Sequence, residues 1–346
     1  MKHEYLNWMT ENTPSRWCND SGIMDDLENA LSCGAIGCTS NPPLSYEALT
    51  TDAERYKAAI SSISGKLSAD DRVVELLGVV VVPIAARLED LYYRSKGQYG
   101  YVRSQVQPKI SSNAAAMYRQ GLKISSWAPN IMVKIPGTAA GMQTIEELAA
   151  DGIPTTPTVC PTVSQIVAAA EANERGIKRA LAAGKTPAAS TAAIVQGRLQ
   201  DYLSVLNQER NAGLSKDDLD YAILAVTKRC FQIMKDRGYS QILMPAAFRS
   251  AKQVAGLVGA EVHMSIHPRF QAEVIRADNE GLIQRRIAID DPIDVDCVNR
   301  VARALPEFSL AYEPDALRPE QFDSFGATAM TLDGFDKTGW QKLYTI

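Results

Sequence analysis

The chain of 346 residues lacks several features that would assign it to the commoner functional classes at once. It has no basic run: 36 Lys and Arg against 40 Asp and Glu leave a net charge of −4, which gives a phosphate backbone nothing to track. Nucleic acid is therefore not an expected partner. The longest apolar run, Leu76 to Ala86, is too short to cross a bilayer and contains Gly78 and Pro83. No membrane partner is expected. The stretch Met1 to Thr10 has polar residues mixed through it and no apolar core of signal-peptide length, so export is not expected either. The six cysteines (Cys18, Cys33, Cys38, Cys160, Cys230, Cys297) contain no CxxC pair and read as buried thiols in a reducing cytoplasm. No GxGxxG follows an apolar run and no GxxxxGK[ST] occurs, so a nucleotide-binding doubly wound sheet, the runner-up fold, would lack its phosphate cradle. No linker rich in Gly, Ser or Pro splits the chain, which reads as one domain.

What the chain does have is an alternation of short β-rich runs and longer amphipathic stretches from end to end. The expected strands are Arg16 to Asp20, Ala35 to Ser40, Tyr99 to Val106, Ile131 to Ile135, Thr155 to Cys160, Thr191 to Val195, Gln241 to Ala247 and Glu261 to Ile266. Eight strands alternating with helices is the count of a (β/α)8 TIM barrel. The barrel core is expected at about 16–270, with additional helices and a C-terminal helical extension at about 271–346. Helix punctuation supports the alternation. Thr138 to Ala150 carries Met142, Ile145 and Leu148 at helical spacing and stops at Gly152, and the Ala-rich stretch from Pro161 stops at Gly184. Ser215 with Asp218 makes a capping box for a helix that ends at Gly238. The connection from Asn41 to Gly97 is expected to hold two helices.

In such a barrel the chemistry sits at the C-terminal strand ends. Polar residues there are Asp20, Asn41, Gln105, Lys134, Thr156 and Thr158, with Arg198 and Arg249 after the sixth and seventh strands. Lys134 is flanked by Ile131, Met132, Val133 and Ile135, so its amine points inward or lies on an exposed edge. Burial lowers an amine's pKa, and a neutral amine can condense with a carbonyl to a Schiff base. A structural lysine paired with a carboxylate is the competing reading of the same string.

The stretch NIMVKIPGTAAGMQTIEELAADGIPTTPTVCPTVSQ resembles the core of the transaldolases, with Lys134 in their K-I-P-[AG]-T pattern. NDSG at Asp20, TSNPP from Thr39 to Pro43 and AAFR from Ala246 to Arg249 resemble further motifs of that family, in the same order over roughly residues 16 to 270. The resemblance implies a class I enzyme acting on a sugar or sugar phosphate with no cofactor and no metal. Carried over, it makes Lys134 the Schiff-base residue and Asp20 the group that takes and returns the sugar hydroxyl proton. Asn41, Thr39, Thr156 and Thr158 would contact the sugar or a catalytic water, and Arg198 and Arg249 a terminal phosphate, with surface ion pairs as the alternative role of the arginines.

The departures bear on which reaction is run. Gln105 stands where the transaldolase pattern has a water-activating glutamate; an amide can orient water but cannot accept its proton. The related fructose-6-phosphate aldolase subgroup also has glutamine there, although its chains are much shorter. Thr156 replaces an asparagine, Ala247 and Ala193 replace serines, and Val195 replaces an aromatic residue. The expected function is therefore transfer of a dihydroxyacetone unit between sugar phosphates. The alternatives are a cofactor-free aldolase that releases or adds free dihydroxyacetone, and a catalytically silent sugar-phosphate-binding barrel.

Other features invite chemistry and are read as structural. His263 and His267, four apart on an expected strand, would stand roughly 13 Å apart, too far to share a metal. Asp290, Asp291, Asp294 and Asp296 lack the glycine and terminal glutamate of a calcium loop and read as a solvated helix start. The aromatic tail (Phe322, Phe325, Phe335, Trp340) is expected to pack over the barrel or against another subunit, which leaves homo-oligomerisation open.

Overall fold

A computed structural model describes residues 4–346. Eight short strands form where the alternation placed them: β1 Arg16–Asp20, β2 Gly37–Thr39, β3 Tyr101–Gln105, β4 Ile131–Pro136, β5 Thr155–Thr158, β6 Thr191–Ile194, β7 Ile242–Pro245 and β8 His263–Ile266. They pair in parallel as a curled six-stranded sheet, ordered β5-β4-β3-β2-β1-β8, and a two-stranded sheet of β6 and β7. Single parallel bridges Thr155–Ser190 and Cys160–Ile194 adjoin β5 to β6, and Ala246–Ser265 adjoins β7 to β8. Helices link the parallel strands because a parallel pair needs a crossover.

Side chains aim the helices into place. Thr138, Thr162 and Ser215 each accept a backbone N–H at the start of the helices Ala139–Ala150, Val163–Ala182 and Lys216–Asp236, and the Ser215–Asp218 capping box forms in full. The connection from Asn41 to Gly97 holds three helices rather than two: Pro42–Thr51, Ala53–Ser62 and Ala69–Arg94. The backbone breaks at Asp52, whose φ of −123° and ψ of 53° leave the helical region, and again before Ser68, which caps the third helix. That helix runs for 26 residues through Pro83, which sits on the exposed side where water can serve the carbonyl it leaves unpaired. Its other face buries Val73, Leu76, Leu77, Val80, Val81, Ile84 and Leu88.

One hydrophobic cluster extends from Tyr5 to Leu343 around the sheets, while a smaller one (Cys18, Ile36, Ala193, Met244) joins β1 to β6 and β7 on the concave side. The tail aromatics Phe322, Phe325, Phe335 and Trp340 are all buried, so the C-terminal segment packs back onto its own chain. All six cysteines are free and buried. Among the described residues no helix is long and apolar enough to cross a membrane. His267 lies past the end of β8, where its side chain accepts the Arg269 N–H as cap of the helix Pro268–Asn279, and not on the strand as expected. Asp294 caps the helix Val295–Ala304, which confirms the helix-start reading of the acidic cluster.

Candidate active site

Strand register brings the expected polar residues together. Gln105 of β3 lies beside Lys134 of β4, and Lys134 beside Thr156 of β5. Asp20 of β1 lies beside Thr39 of β2. Alternation then turns this level toward the concave side, where two side-chain contacts form: Thr156 to Thr191 of the adjoining β6 at 2.9 Å, and Thr39 to Ser265 of β8, beyond β1, at 2.6 Å.

Lys134 is buried, and its Nζ donates to the Ser40 carbonyl at 3.0 Å. It forms no ion pair among the described residues, so the salt-bridged alternative does not apply. Burial pushes the amine down to about 8; the Asp20 carboxylate opposes the shift, and the Arg103 and Arg198 guanidiniums reinforce it. Asp20 accepts the Thr39 hydroxyl at 2.6 Å. The Gln105 amide is 1 % exposed and neither of its polar atoms has a hydrogen-bond partner. A buried amide left open in this way is suited to hold a water or a substrate hydroxyl.

Thr158 ends β5 in a buried position, and the next residue, Val159, has φ +56°. That conformation is strained for a β-branched side chain. The Gln165 amide holds it by donating to the carbonyls of Gly137 and Val159 at 2.8 and 3.2 Å. A second strained residue, Ala247 with φ +59°, follows β7. Its carbonyl oxygen lies 1.7 Å from where a Cβ of residue 197 would stand, so only glycine fits at Gly197, and Arg198 follows directly.

Arg249 and Arg198 meet at Asp201. Arg249 forms a two-pronged pair with that carboxylate at 2.8 and 2.6 Å, and its remaining Nη1 donates to the Ala247 and Phe248 carbonyls. Arg198 stands 3.8 Å from Asp201 and 5.4 Å over the Phe335 ring. Burial and the neighbouring Arg249 lower the Arg198 guanidinium's pKa. Arg249 therefore takes the ion-pair role while still facing a cleft of about 810 Å³ that Asp20, Asn41, Arg198, His267 and Arg269 also line. Asn41 caps the helix Pro42–Thr51 by accepting the Leu44 N–H, which leaves its amide NH₂ and the second lone pair of its Oδ1 uncommitted at the cleft. Lys134 does not line this cleft and lies deeper.

Two parts of the site escaped the sequence reading. Arg103 is fully interior on β3, and its spacing of two from Gln105 is the signal that would have found it. Phe335 over Arg198 comes from a segment whose approach no local pattern reports, whereas Asp201 lies three residues after Arg198 on one helix, a spacing that would have found it.

Residues 17–292 match the family described as transaldolase/fructose-6-phosphate aldolase. A curated relative named transaldolase 1, from Streptomyces coelicolor, is 28% identical over 205 residues, 56% of this chain and 53% of the relative. A transaldolase of Neisseria meningitidis is 29% identical over 166 residues, 47% of each chain. A transaldolase of Helicobacter pylori is 29% identical over 177 residues, covering 47% of this chain and 54% of that one. The chain spans about half the length of the curated relatives it matches.

Proposed function

The chain belongs to the transaldolase/fructose-6-phosphate aldolase family, and from that membership we propose that it is a transaldolase-type transferase, moving a dihydroxyacetone unit between sugar phosphates through a Schiff base on Lys134. The observation that carries this reading is the buried Lys134, with its amine pushed down to about 8 and its level shared with Gln105 and Thr156. In the proposed sequence the neutral amine adds to the ketose carbonyl and water leaves, giving an iminium. Asp20 takes the proton of the hydroxyl beyond the third carbon, the carbon–carbon bond breaks toward the iminium, and an aldose departs. The enamine left on Lys134 attacks the aldehyde of the acceptor, and Asp20 returns its proton to the new hydroxyl. Water then releases the new ketose and restores the amine. Gln105 and Thr158 orient that water, while Asn41, Thr39 and Thr156 contact the sugar. Arg198 binds a terminal phosphate, with Arg249 and Asp201 fixing its surroundings.

The same reading takes the two sheets as one closed (β/α)8 barrel in a single domain, which the bridges from β5 to β6 and from β7 to β8 support. Six free, buried thiols are in keeping with a cytoplasmic setting. A second reading, a cofactor-free aldolase, is favoured by Gln105, since no carboxylate stands there to take a proton from water.

Reductive trapping with fructose 6-phosphate and with free dihydroxyacetone, followed by peptide mass analysis, tests the proposal. An adduct on Lys134 is expected, and turnover of the ketose should require an acceptor aldose. Turnover without acceptor would select the aldolase reading. Absence of any adduct would leave the silent sugar-phosphate-binding barrel.

A further inference from the structure

Arg103 is the least expected charge in the molecule. It is 2 % exposed, on the concave side of β3, where Gln105 two residues on lies beside Lys134. Its guanidinium donates to the Thr191 hydroxyl at 3.4 Å and the Cys18 thiol at 3.6 Å, and it forms no ion pair among the described residues. The polar side chains nearby are neutral: Thr156 and Thr191 bond each other, Thr156 donates to the Met132 sulfur, and burial pushes the Cys18 thiol up. Gly37 is required by the neighbouring strand, since a Cβ there would stand 2.6 Å from the Tyr101 carbonyl oxygen, while the guanidinium at 3.6 Å would be in ordinary contact with it. A buried cation with no counterion is costly, and packing alone would be better served by an apolar side chain.

We propose that Arg103 is a positioning residue acting through Lys134: its fixed positive charge, one layer below, disfavours the ammonium and so enlarges the unprotonated share of the nucleophilic amine in the resting protein. This rests on the Schiff-base reading of Lys134. The charged and titratable groups that reach that amine are Asp20 from β1, Cys38 from β2, Arg103 from β3 and Arg198 from the helix after β6. Asp20 and Cys38 favour the ammonium; the two arginines oppose it. Gln105 adds no charge where the family pattern has a glutamate, so no carboxylate beside Lys134 on β3 joins Asp20 in holding the ammonium or takes a proton from it. Arg103 supplies by repulsion what proton transfer to a carboxylate does not. Burial, and after it the same cation, lower the pKa of His263 on β8, so that both of these interior basic groups are shifted toward their neutral forms around one that cannot lose its charge.

The test is the pH dependence of cyanoborohydride trapping with free dihydroxyacetone, which carries no phosphate and so bypasses Arg198 and Arg249. Wild type, Arg103→Met and Arg103→Lys are compared. The wild-type midpoint is expected near 8. Arg103→Met is expected to raise it by about one pH unit, a roughly tenfold slower trapping at pH 7, and Arg103→Lys to stay close to wild type. Should the Met variant not fold, Arg103→Gln gives the same reading. A Met or Gln profile that superimposes on wild type overturns the role of Arg103 and leaves the Schiff base intact. A wild-type midpoint in the ordinary lysine range, about 10.4, overturns it with no variant at all. Absence of a wild-type adduct at every pH overturns the Schiff-base reading and this inference with it.

Discussion

Lys134 and Gln105 are neighbours across two strands, one a cation in waiting and the other an amide with nothing to bond. Placing a carboxylate at that amide changes one charge and almost no volume. Gln105→Glu is expected to raise the trapping midpoint of Lys134 by roughly one pH unit, because a nearby anion favours the ammonium. The substitution changes the net charge by the same amount as the removal of Arg103 and acts in the same direction, since adding an anion and deleting a cation both stabilise the protonated amine. A midpoint that stays put or falls would mean that the residue 105 side chain does not reach Lys134. Much of this was readable in the string. An apolar run around a lysine forces the choice between burial and an exposed edge, and the pairs Asp20–Thr39 and Gln105–Lys134 follow once the strands are aligned. The ion pair of Arg249 with Asp201 was not readable, because no spacing rule distinguishes an arginine aimed at a ligand from one aimed at a carboxylate 48 residues away.

Between elements, the C-terminal segment is tied down at one atom. Asp70, in the first turn of the helix Ala69–Arg94, receives on a single carboxylate oxygen the Gln107 amide at 2.8 Å, the Trp340 indole N–H at 2.9 Å and the Tyr344 hydroxyl at 2.5 Å. Gln107 follows β3 closely, so one carboxylate joins the tail to the loop beyond Gln105. Gly339 fits against Pro43 only for want of a Cβ, which would stand 2.4 Å from the proline ring. Asp70→Ala leaves the buried Trp340 N–H without its partner and is expected to destabilise the protein by about 2–4 kcal/mol, since hydrogen bonds to a charged group are each worth ~1.5–3 kcal/mol before relaxation. Thermal unfolding reads the loss, and limited proteolysis should locate new cleavage in residues 326–346. An unchanged digest would show that Phe335, Trp340 and Leu343 hold the tail by apolar burial alone. This anchoring lay beyond sequence reasoning because its partners are 270 and 274 residues apart. The helices and strands themselves were legible, since caps such as Ser215 and the alternation of β and helical runs are local. The third helix between Asn41 and Gly97 was missed because Asp52 separates two helices with a single residue.

Across the whole molecule, acid stability reports on how the interior is charged. His263 on β8 is buried, its Nδ1 has no partner, and burial together with the Arg103 and Arg16 cations lowers its pKa to about 3. The unfolded chain takes up a proton at this residue near pH 6.5, whereas the folded chain does not until about 3. The unfolded state therefore binds more protons throughout that interval, and stability falls as the pH is lowered across it. The contribution is fully present above 6.5 and amounts to roughly 1.4 kcal/mol per pH unit within the window, or about 2 kcal/mol between pH 6.5 and 5. Carboxylates enter later: Asp218, held down to about 2 chiefly by Arg300 and then by its cap to Ser215, loses its contribution only as the pH falls from about 4 toward 2. The two windows separate, so the slope between pH 6.5 and 5 belongs to the interior histidine. His263→Leu is expected to flatten it while leaving the steeper loss below pH 4 unchanged, as read by thermal unfolding at several pH values. A variant curve parallel to wild type from pH 6.5 to 5 would show that His263 takes up its proton in the folded protein. A guanidinium and an imidazolium would then share one dry interior, and Arg103 could not be the fixed charge that sets the protonation of its neighbours.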